Sequence, residues 1–442
     1  MKPESWYKAA RFAGKLRRRS RKVHSWPVIE TIPGISVVIP SRNGKDLLAA
    51  QLPGITKDLV EIPSEILVVD NGSSDGTADW LCSVYPRIRV EVSPTPLSFA
   101  RAVNRGIALA RHSHICLLNN DMIVEAGFFS ALLNAFQAVP DLFSATAQIF
   151  FPPGVRREET GKAVYSQPSP IDFPIRCDEP FPGEDHTYVL YGSGGCSLYD
   201  TAKLRQLGAI DPVYEPAYVE DLDIGYRGWQ IGWPSIYVAG ARLEHRHRAT
   251  SSRYFTEEQL EEILEVNYLR FVARAVADRD VFQALWLQAL NRLRLRAGES
   301  PAARKALQAA PGIALTGGPR LTPKFQERLL LALSAGGIAV FPGHGPIGNP
   351  RTVVVGCAPR PGAVMISSVE SLQTPDPESL AICAEVVLVR RSDGPLALEG
   401  VLQQSVRKWR PEAAYLGKAE MSQFAGYFRA CGITTLTCPS GL

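Results

Sequence analysis

No run of about 18 apolar residues, the length a helix needs to cross a bilayer, occurs anywhere in the 442-residue chain. That excludes an α-helical membrane span. The basic N-terminus leads into no apolar stretch long enough for a secretory signal, so export is not expected. Cysteines at CxxC spacing are missing as well; the eight cysteines stand at 82, 116, 177, 196, 357, 383, 431 and 438. They read as thiols of a reducing cytoplasm and not as disulfides or zinc ligands. There is no internal repeat. A dominant charge is lacking too: 48 basic against 44 acidic residues leave +4, too little to imply a nucleic-acid partner.

Apolar residues make up 45% and charged residues 21%, enough for a large core and against global disorder. The length suggests two domains. The charge is concentrated at one end. Residues 1–22 carry nine lysines and arginines against Glu4 alone, with Trp6, Tyr7 and Phe12 interleaved. Such a tail suits an anionic membrane surface; a solvated, solubilising tail is the plainer alternative.

From Gly34 onward, short β-branched runs alternate with helical ones. Strands are expected at 35–39, 65–69, 89–92 and 114–118, and helices at 46–51, 77–84 and 98–111. That alternation implies parallel strands with right-handed crossovers, and in such sheets ligands bind beyond the carboxyl ends of the strands. The polar clusters Pro40-Ser-Arg-Asn43, Asp70–Asp75 and Asn119–Asp121 all fall at those ends. Residues 150–190, rich in Pro and charge, read as a long loop. Tyr191-Gly-Ser-Gly-Gly195 allows close backbone approach to a ligand, or is a tight turn.

The stretch 220–247 gathers the most chemistry. Glu220, Asp221 and Asp223 open a helical run, where acidic groups suit the positive helix end. A Gly-Trp-Pro turn, a strand at 235–239, and then His245 and His247 follow. A carboxylate so held can act as a general base, and a returning histidine can ligate a metal or steady a phosphate. A capped surface helix with a solvated loop is the bland alternative. Trp229 suits the core, and Trp233 is the better candidate for a sugar-stacking platform.

Thr256, with Glu258 and Gln259 after it, fits the N-cap of a helical segment reaching about Ala310. Pro311–Pro319 is taken as the boundary to a smaller α/β domain. Strands are expected there at 338–341, 352–355, 364–366, 385–389 and 433–436. Gly343-His-Gly-Pro-Ile-Gly348 has the GxGxxG form, but Pro346 and Pro350 argue against the phosphate-capping helix that this motif requires.

Six ordered blocks resemble family 2 glycosyltransferases of the GT-A fold, a Rossmann-like mixed sheet flanked by helices. They are Ile35-SVVIPSRNG44, Ile66-LVVDNGSSDGT77, Phe99-ARAVNRGIALA110, Leu117-LNNDMIV124, Tyr191-GSGGCSLYD200 and Val219-EDLDIGYRGWQIGW233. Rhamnosyl- and galactofuranosyl-type enzymes of polysaccharide assembly are the most similar subgroup. The resemblance covers residues 34–275 and implies metal-dependent, inverting transfer from a nucleoside diphosphate sugar to a glycan or lipid-linked acceptor. It implies Pro40, Arg42, Asn43, Asp70, Asn104, Asn119, Asn120, Gly194, Gly195 and Trp233 around the nucleotide sugar. Asp121 would ligate Mg²⁺ or Mn²⁺, with His245, or alternatively His247, as the later metal or diphosphate ligand. Asp221 would be the base and Asp223 its support. Asn119 stands where many members carry an acidic residue, which lowers the local negative charge.

The expected plan is therefore a basic tail (1–33), a GT-A domain (34–255), a helical segment (256–310) and a C-terminal α/β domain (311–442). The expected location is cytoplasmic, peripheral at the inner membrane face. A degenerate glycosyltransferase fold acting as scaffold or sugar-nucleotide sensor is the competing reading. A nucleotidyltransferase ranks last, because Pro40-Ser-Arg-Asn-Gly44 lacks the Gly-rich basic loop such an enzyme carries.

Overall fold

The computed structural model describes residues 30–152, 159–246, 253–316, 323 and 325–438, so the basic segment 1–22 and His247 lie outside the described residues. The apolar runs at the start of the chain form β1 (Ile32–Ser41), β2 (Ser64–Asn71), β3 (Arg89–Ser93) and β4 (His112–Leu118). They pair in parallel in the order β4-β1-β2-β3. Alternate residues of β1 point to opposite faces. Val37 and Ile39 join an apolar cluster with Leu48, Leu52 and Ile55 of α1 (Lys45–Asp58). Val38 joins Val103 and Ile107 of α3 (Phe99–Leu109) on the other face. Helix α2 (Thr77–Val84) links β2 to β3. Helix α1 continues past the expected end at Gln51, through Pro53. The carbonyl freed by the missing proline N–H is that of Ala49, an exposed residue, so water can satisfy it.

The next stretch holds β5 (Met122–Val124), α4 (Phe128–Ala138), β6 (Ser144–Phe150), β7 (Glu159–Thr160), β8 (Lys162–Tyr165), β9 (Ile175–Asp178), β10 (Tyr188–Val189) and β11 (Cys196–Asp200). Then come α5 (Thr201–Gln206), α6 (Glu220–Gln230) and β12 (Ser235–His245). The main sheet runs β10-β12-β6-β11-β4-β1-β2-β3, with β5 on β12 and β7 on β6. Residues 150–190 are thus not one long loop: β8 and β9 pair as an antiparallel hairpin. Four-residue strands are too short for alternation to stand out among prolines and charges. Strand β12 extends to His245, beyond the expected Ala239, because a register shift between Val238 and Arg242 breaks the alternation without ending the strand.

A helical arm follows: α7 (Glu257–Ala275), α8 (Arg279–Arg296) and α9 (Pro301–Thr316). Thr256 and Gln259 form the reciprocal capping box at its start. Pro311 lies inside α9 on an exposed face, so the chain stays helical through Thr316, past the expected break.

After α10 (Glu327–Leu333) a second sheet contains β13 (Ile338–Pro342), β14 (Thr352–Val355), β15 (Val364–Val369), β16 (Glu385–Arg390), β17 (Ala413–Leu416) and β18 (Thr434–Thr437). Its order is β13-β16-β15-β14-β17-β18, with all but β13 parallel. Helices α11 (Pro377–Ile382), α12 (Pro395–Trp409) and α13 (Lys418–Ala430) connect the later strands. One apolar cluster runs from the first sheet through the arm into the second. Polar contacts join them as well. Val340 N–H donates to Thr187 Oγ1 (2.9 Å), and Arg407 donates to the Gly232 carbonyl (2.7 Å).

One expectation is corrected here. Cys357 and Cys438 form a disulfide, their Cα atoms 6.2 Å apart, because β14 and β18 flank β17 and end on the same edge. The Gly343–Gly348 segment follows β13, which is antiparallel, and so lies at the amino edge of the parallel strands. The N–H groups of Gly343, His344 and Gly345 bond to the carbonyls of Ala384, Leu380 and Cys383, which leaves no phosphate cradle. No helix among the described residues is long and apolar enough to cross a membrane.

Candidate active site

The carboxyl ends of β1, β2 and β4 meet the start of β11 and the N-terminus of α6. Antiparallel pairing sets Cys196 opposite Leu118, so the Ser193–Gly195 turn lies beside Asn119–Asp121. Two glycines make this junction possible. Asn119 N–H donates to the Gly195 carbonyl at 2.9 Å, and a Cβ on Gly195 would stand 2.5 Å from Asn119 Nδ2. Gly194 N–H donates to Asp221 Oδ2 at 3.2 Å, and a Cβ there would meet the Asp221 Cβ at 3.3 Å. The pair therefore bridges the Asn119–Asp121 turn and the carboxylate on α6.

Strand β12 returns antiparallel to β5 with His245 opposite Met122, and this carries the histidine to Asp121. His245 Nε2 lies 3.6 Å from Asp121 Oδ2. Asp121 is buried, and its Oδ1 has no hydrogen-bond partner among the described residues. A buried carboxylate oxygen without a donor fits a hard cation, with the imidazole as a second ligand. No group of three or more His, Cys, Asp or Glu side chains placed to hold a metal occurs among the described residues. An ion here would take its other ligands from water or substrate oxygens.

Asp221 is half-buried in the first turn of α6, and its Oδ1 accepts from Leu222 N–H at 2.8 Å. Burial raises its pKa against the lowering effect of the Gly194 and Leu222 N–H groups. Glu220 beside it is buried and pushed up to about 8 by burial, then by the charges of Asp221 and Asp223. Tyr191, held well above the usual phenol range by burial and then by Asp221, stays protonated near this pair.

Between its ordinary 4.5 and about 8, Glu220 is protonated in the native chain and ionised in the unfolded one. Its stabilising contribution is complete below 4.5 and lost as pH rises to about 8. Glu220→Gln cannot ionise, so its urea-unfolding free energy should fall less between about pH 5.5 and about pH 8 than that of wild type. Equal losses in the two proteins would remove Glu220 as the source.

Asp223 and Asp221 are not brought together. Residues two apart on a helix point in nearly opposite directions. Asp223 is buried, accepting from Tyr214 OH (3.0 Å) and Arg227 Nε (2.7 Å). Arg227 also donates to the Leu207 and Ala209 carbonyls. Trp233 is likewise remote, since the 11-residue α6 spans roughly 16 Å and Trp233 lies past its far end. It stacks on Phe143, with Lys203 over its ring. Trp229 is fully buried.

The nucleotide-side residues divide similarly. Pro40, next to last in β1, is in register with Val69. Arg42 lies 4.2 Å from the Tyr254 ring centroid, and Asn43 bonds to Tyr254 OH, to Ser73 Oγ through its N–H, and to Ser74 N–H. Asp70 is buried and accepts from Ser73 N–H. Asn104 instead spends both ends of its amide on the Ile210 backbone, and Asn120 donates to Ser41 Oγ.

Three residues with positioning roles escape the sequence motifs. Gln51, buried on the apolar face of α1, donates to the Asn119 and Met122 carbonyls at 2.6 and 2.8 Å. A lone amide on an apolar stripe was its only signal. Tyr254 packs over the β1 loop as just described. Asn267 of α7 donates to the carbonyls of Tyr214, Ala217 and Tyr218. That loop ends with Tyr218 and Val219 both at positive φ (71° and 76°), costly for such side chains, immediately before Glu220 and Asp221. Nothing in the sequence of α7 announces that contact.

Residues 36–208 match the family model described as Glycosyl transferase family 2. N-acetylglucosaminyl-diphospho-decaprenol L-rhamnosyltransferase of Mycobacterium tuberculosis is 29% identical over 216 residues, which cover 43% of this chain and 69% of that one. An uncharacterized Sinorhizobium fredii protein, y4gI, is 28% identical over 269 residues, covering 55% of this chain and 28% of its own. Among solved structures, S. aureus TarS 1-349 is similar at a TM-score of 0.44 and 14% identity, covering 68% of this chain and 86% of that chain. Over residues 36–208 this chain is thus similar to glycosyl transferase family 2.

Proposed function

We propose that this glycosyltransferase moves a sugar, with inversion, from a nucleoside diphosphate donor to an acceptor hydroxyl on a lipid-linked glycan. The acceptor class is suggested by the name of the mycobacterial relative, whose own acceptor is a diphospho-decaprenol. The observation that carries the reading is the placement of Asp221 and the Asp121–His245 pair on either side of Gly194-Gly195. Asp221 takes the acceptor proton while the attacking oxygen adds to the anomeric carbon. Its raised pKa suits that work near neutral pH. Asp121 and His245 would hold Mg²⁺ or Mn²⁺, which supplies positive charge to the departing diphosphate when bound. The Arg42–Asn43 loop and Asp70 would line the nucleotide, with Tyr254 packed over that loop.

Calorimetric titration of UDP, GDP and dTDP, with and without Mn²⁺, tests this. One nucleotide should bind only with metal, and Asp121→Ala, which removes a ligand itself, should weaken it by at least the roughly 10- to 100-fold that loss of an outer-shell partner costs. Binding indifferent to both metal and Asp121→Ala would refute the metal assignment. Absence of binding by any of the three would favour a catalytically silent scaffold.

A further inference from the structure

The second sheet has a site of its own kind. Its parallel strands follow the spatial order third, second, first, fourth, fifth (β16, β15, β14, β17, β18), so the connections reverse direction between β14 and β17. In open parallel sheets that reversal opens a crevice beyond the carboxyl ends, where ligands bind. A cavity of about 750 Å³ lies at this edge. It is lined by the turn after β14 (Gly356–Ala358), the ends of β15 (Ser367, Ser368) and β16 (Arg390, Arg391), and the first turns of α12 and α13. The volume is within the range of small-ligand sites.

The lining has a definite chemistry. Helices α12 and α13 both start at the cavity, and neither has a side-chain cap on its first N–H groups. Arg390 and Arg391 bring guanidinium groups to it, Arg390 ion-paired with Asp393 and Arg391 with Glu370. Ser367 and Ser368 contribute hydroxyl-bearing side chains. One acid faces the same space: Glu420, in the first turn of α13, lies over Gly356, where a Cβ would meet its carboxylate at 2.5–2.6 Å. Guanidinium groups and free helix N–H groups suit phosphate oxygens, whereas a carboxylate suits hydroxyl groups. Inorganic phosphate has no use for the second feature.

We propose that this cavity binds an organic phosphate of nucleotide size, its phosphate toward Arg390, Arg391 and the helix N-termini and its sugar hydroxyls toward Glu420. The site is separate from the Asp121 site and needs no metal.

The test uses the full chain in EDTA, so that metal-dependent binding at Asp121 does not contribute. AMP, UMP, ribose 5-phosphate and inorganic phosphate are titrated, and hydrogen exchange locates any protection. At least one sugar-bearing phosphate should bind saturably and protect residues 353–369, 388–400 and 415–424. Arg391→Glu and Ala358→Trp, both at exposed lip positions, should each weaken it by about tenfold or more. Glu420→Gln should weaken the sugar phosphates and leave inorganic phosphate unchanged. Protection confined to residues 36–75 and 115–125, no saturable binding, inorganic phosphate binding as tightly as the sugar phosphates, or affinity unchanged in Ala358→Trp would each overturn the proposal. None of these outcomes bears on the metal-dependent nucleotide binding tested above.

Discussion

Asp221→Asn is expected to slow sugar transfer by about 10²- to 10⁴-fold, the usual worth of a positioned general base. Metal-dependent nucleotide affinity should stay within a few-fold of wild type. Asparagine keeps the shape and one oxygen, which can accept from Gly194 N–H or from Leu222 N–H though not from both, and it cannot take the acceptor proton. The substitution also removes a charge whose ionisation burial opposes, which offsets part of the lost hydrogen bond, so the folded state should lose little. Rates are best read with donor hydrolysis beside transfer, since loss of the base impairs activation of a water as well. Full transfer activity with binding unchanged would show that the proton goes elsewhere.

Asp223→Ala should behave in the opposite way. It strands Arg227, one of the largest fully buried side chains, without its counter-charge. Breaking a buried pair from one side costs about 3–5 kcal/mol. The cost should appear as a lowered urea midpoint, with activity per folded molecule far less affected than in Asp221→Asn. Replacing both partners with apolar groups, Asp223→Leu with Arg227→Met, should recover much of the stability, because no buried charge is then left alone. A folded, stable Asp223→Ala protein with transfer abolished would restore a catalytic role to Asp223.

That contrast shows what could be read from residues alone. Strands β1, β2 and β4 were legible because β-branched runs closed by polar clusters have few other solutions in an alternating chain. The gathering of Asn43, Asp70 and Asp121 at one edge followed from parallel pairing alone. Direction within an element was less accessible. Asp221 and Asp223 look like one acidic cluster in a string, yet helical rotation sends them to opposite faces. Asn104 fits a donor-site motif but satisfies the Ile210 backbone, a contact between residues 106 positions apart. Trp233 lies near Asp221 in sequence and a helix length away in space. Such outcomes depend on long-range packing, which local periodicity does not encode. In the C-terminal sheet, β17 went unseen because Ala413-Ala-Tyr-Leu416 is short and weakly β-branched. Without it the reversal of strand order was invisible.

Strand β12 carries a lesson about cutting the chain. The family match ends at residue 208, but β12 lies between β10 and β6 and delivers His245. A fragment stopped at that limit would expose one side of β6 as a bare edge, inviting strand-to-strand aggregation. It would also lack Asp221 and the Asn267 clamp on the loop before it. The smallest self-sufficient piece of this enzyme therefore extends at least through α7, some way beyond the portion by which its kinship is recognised.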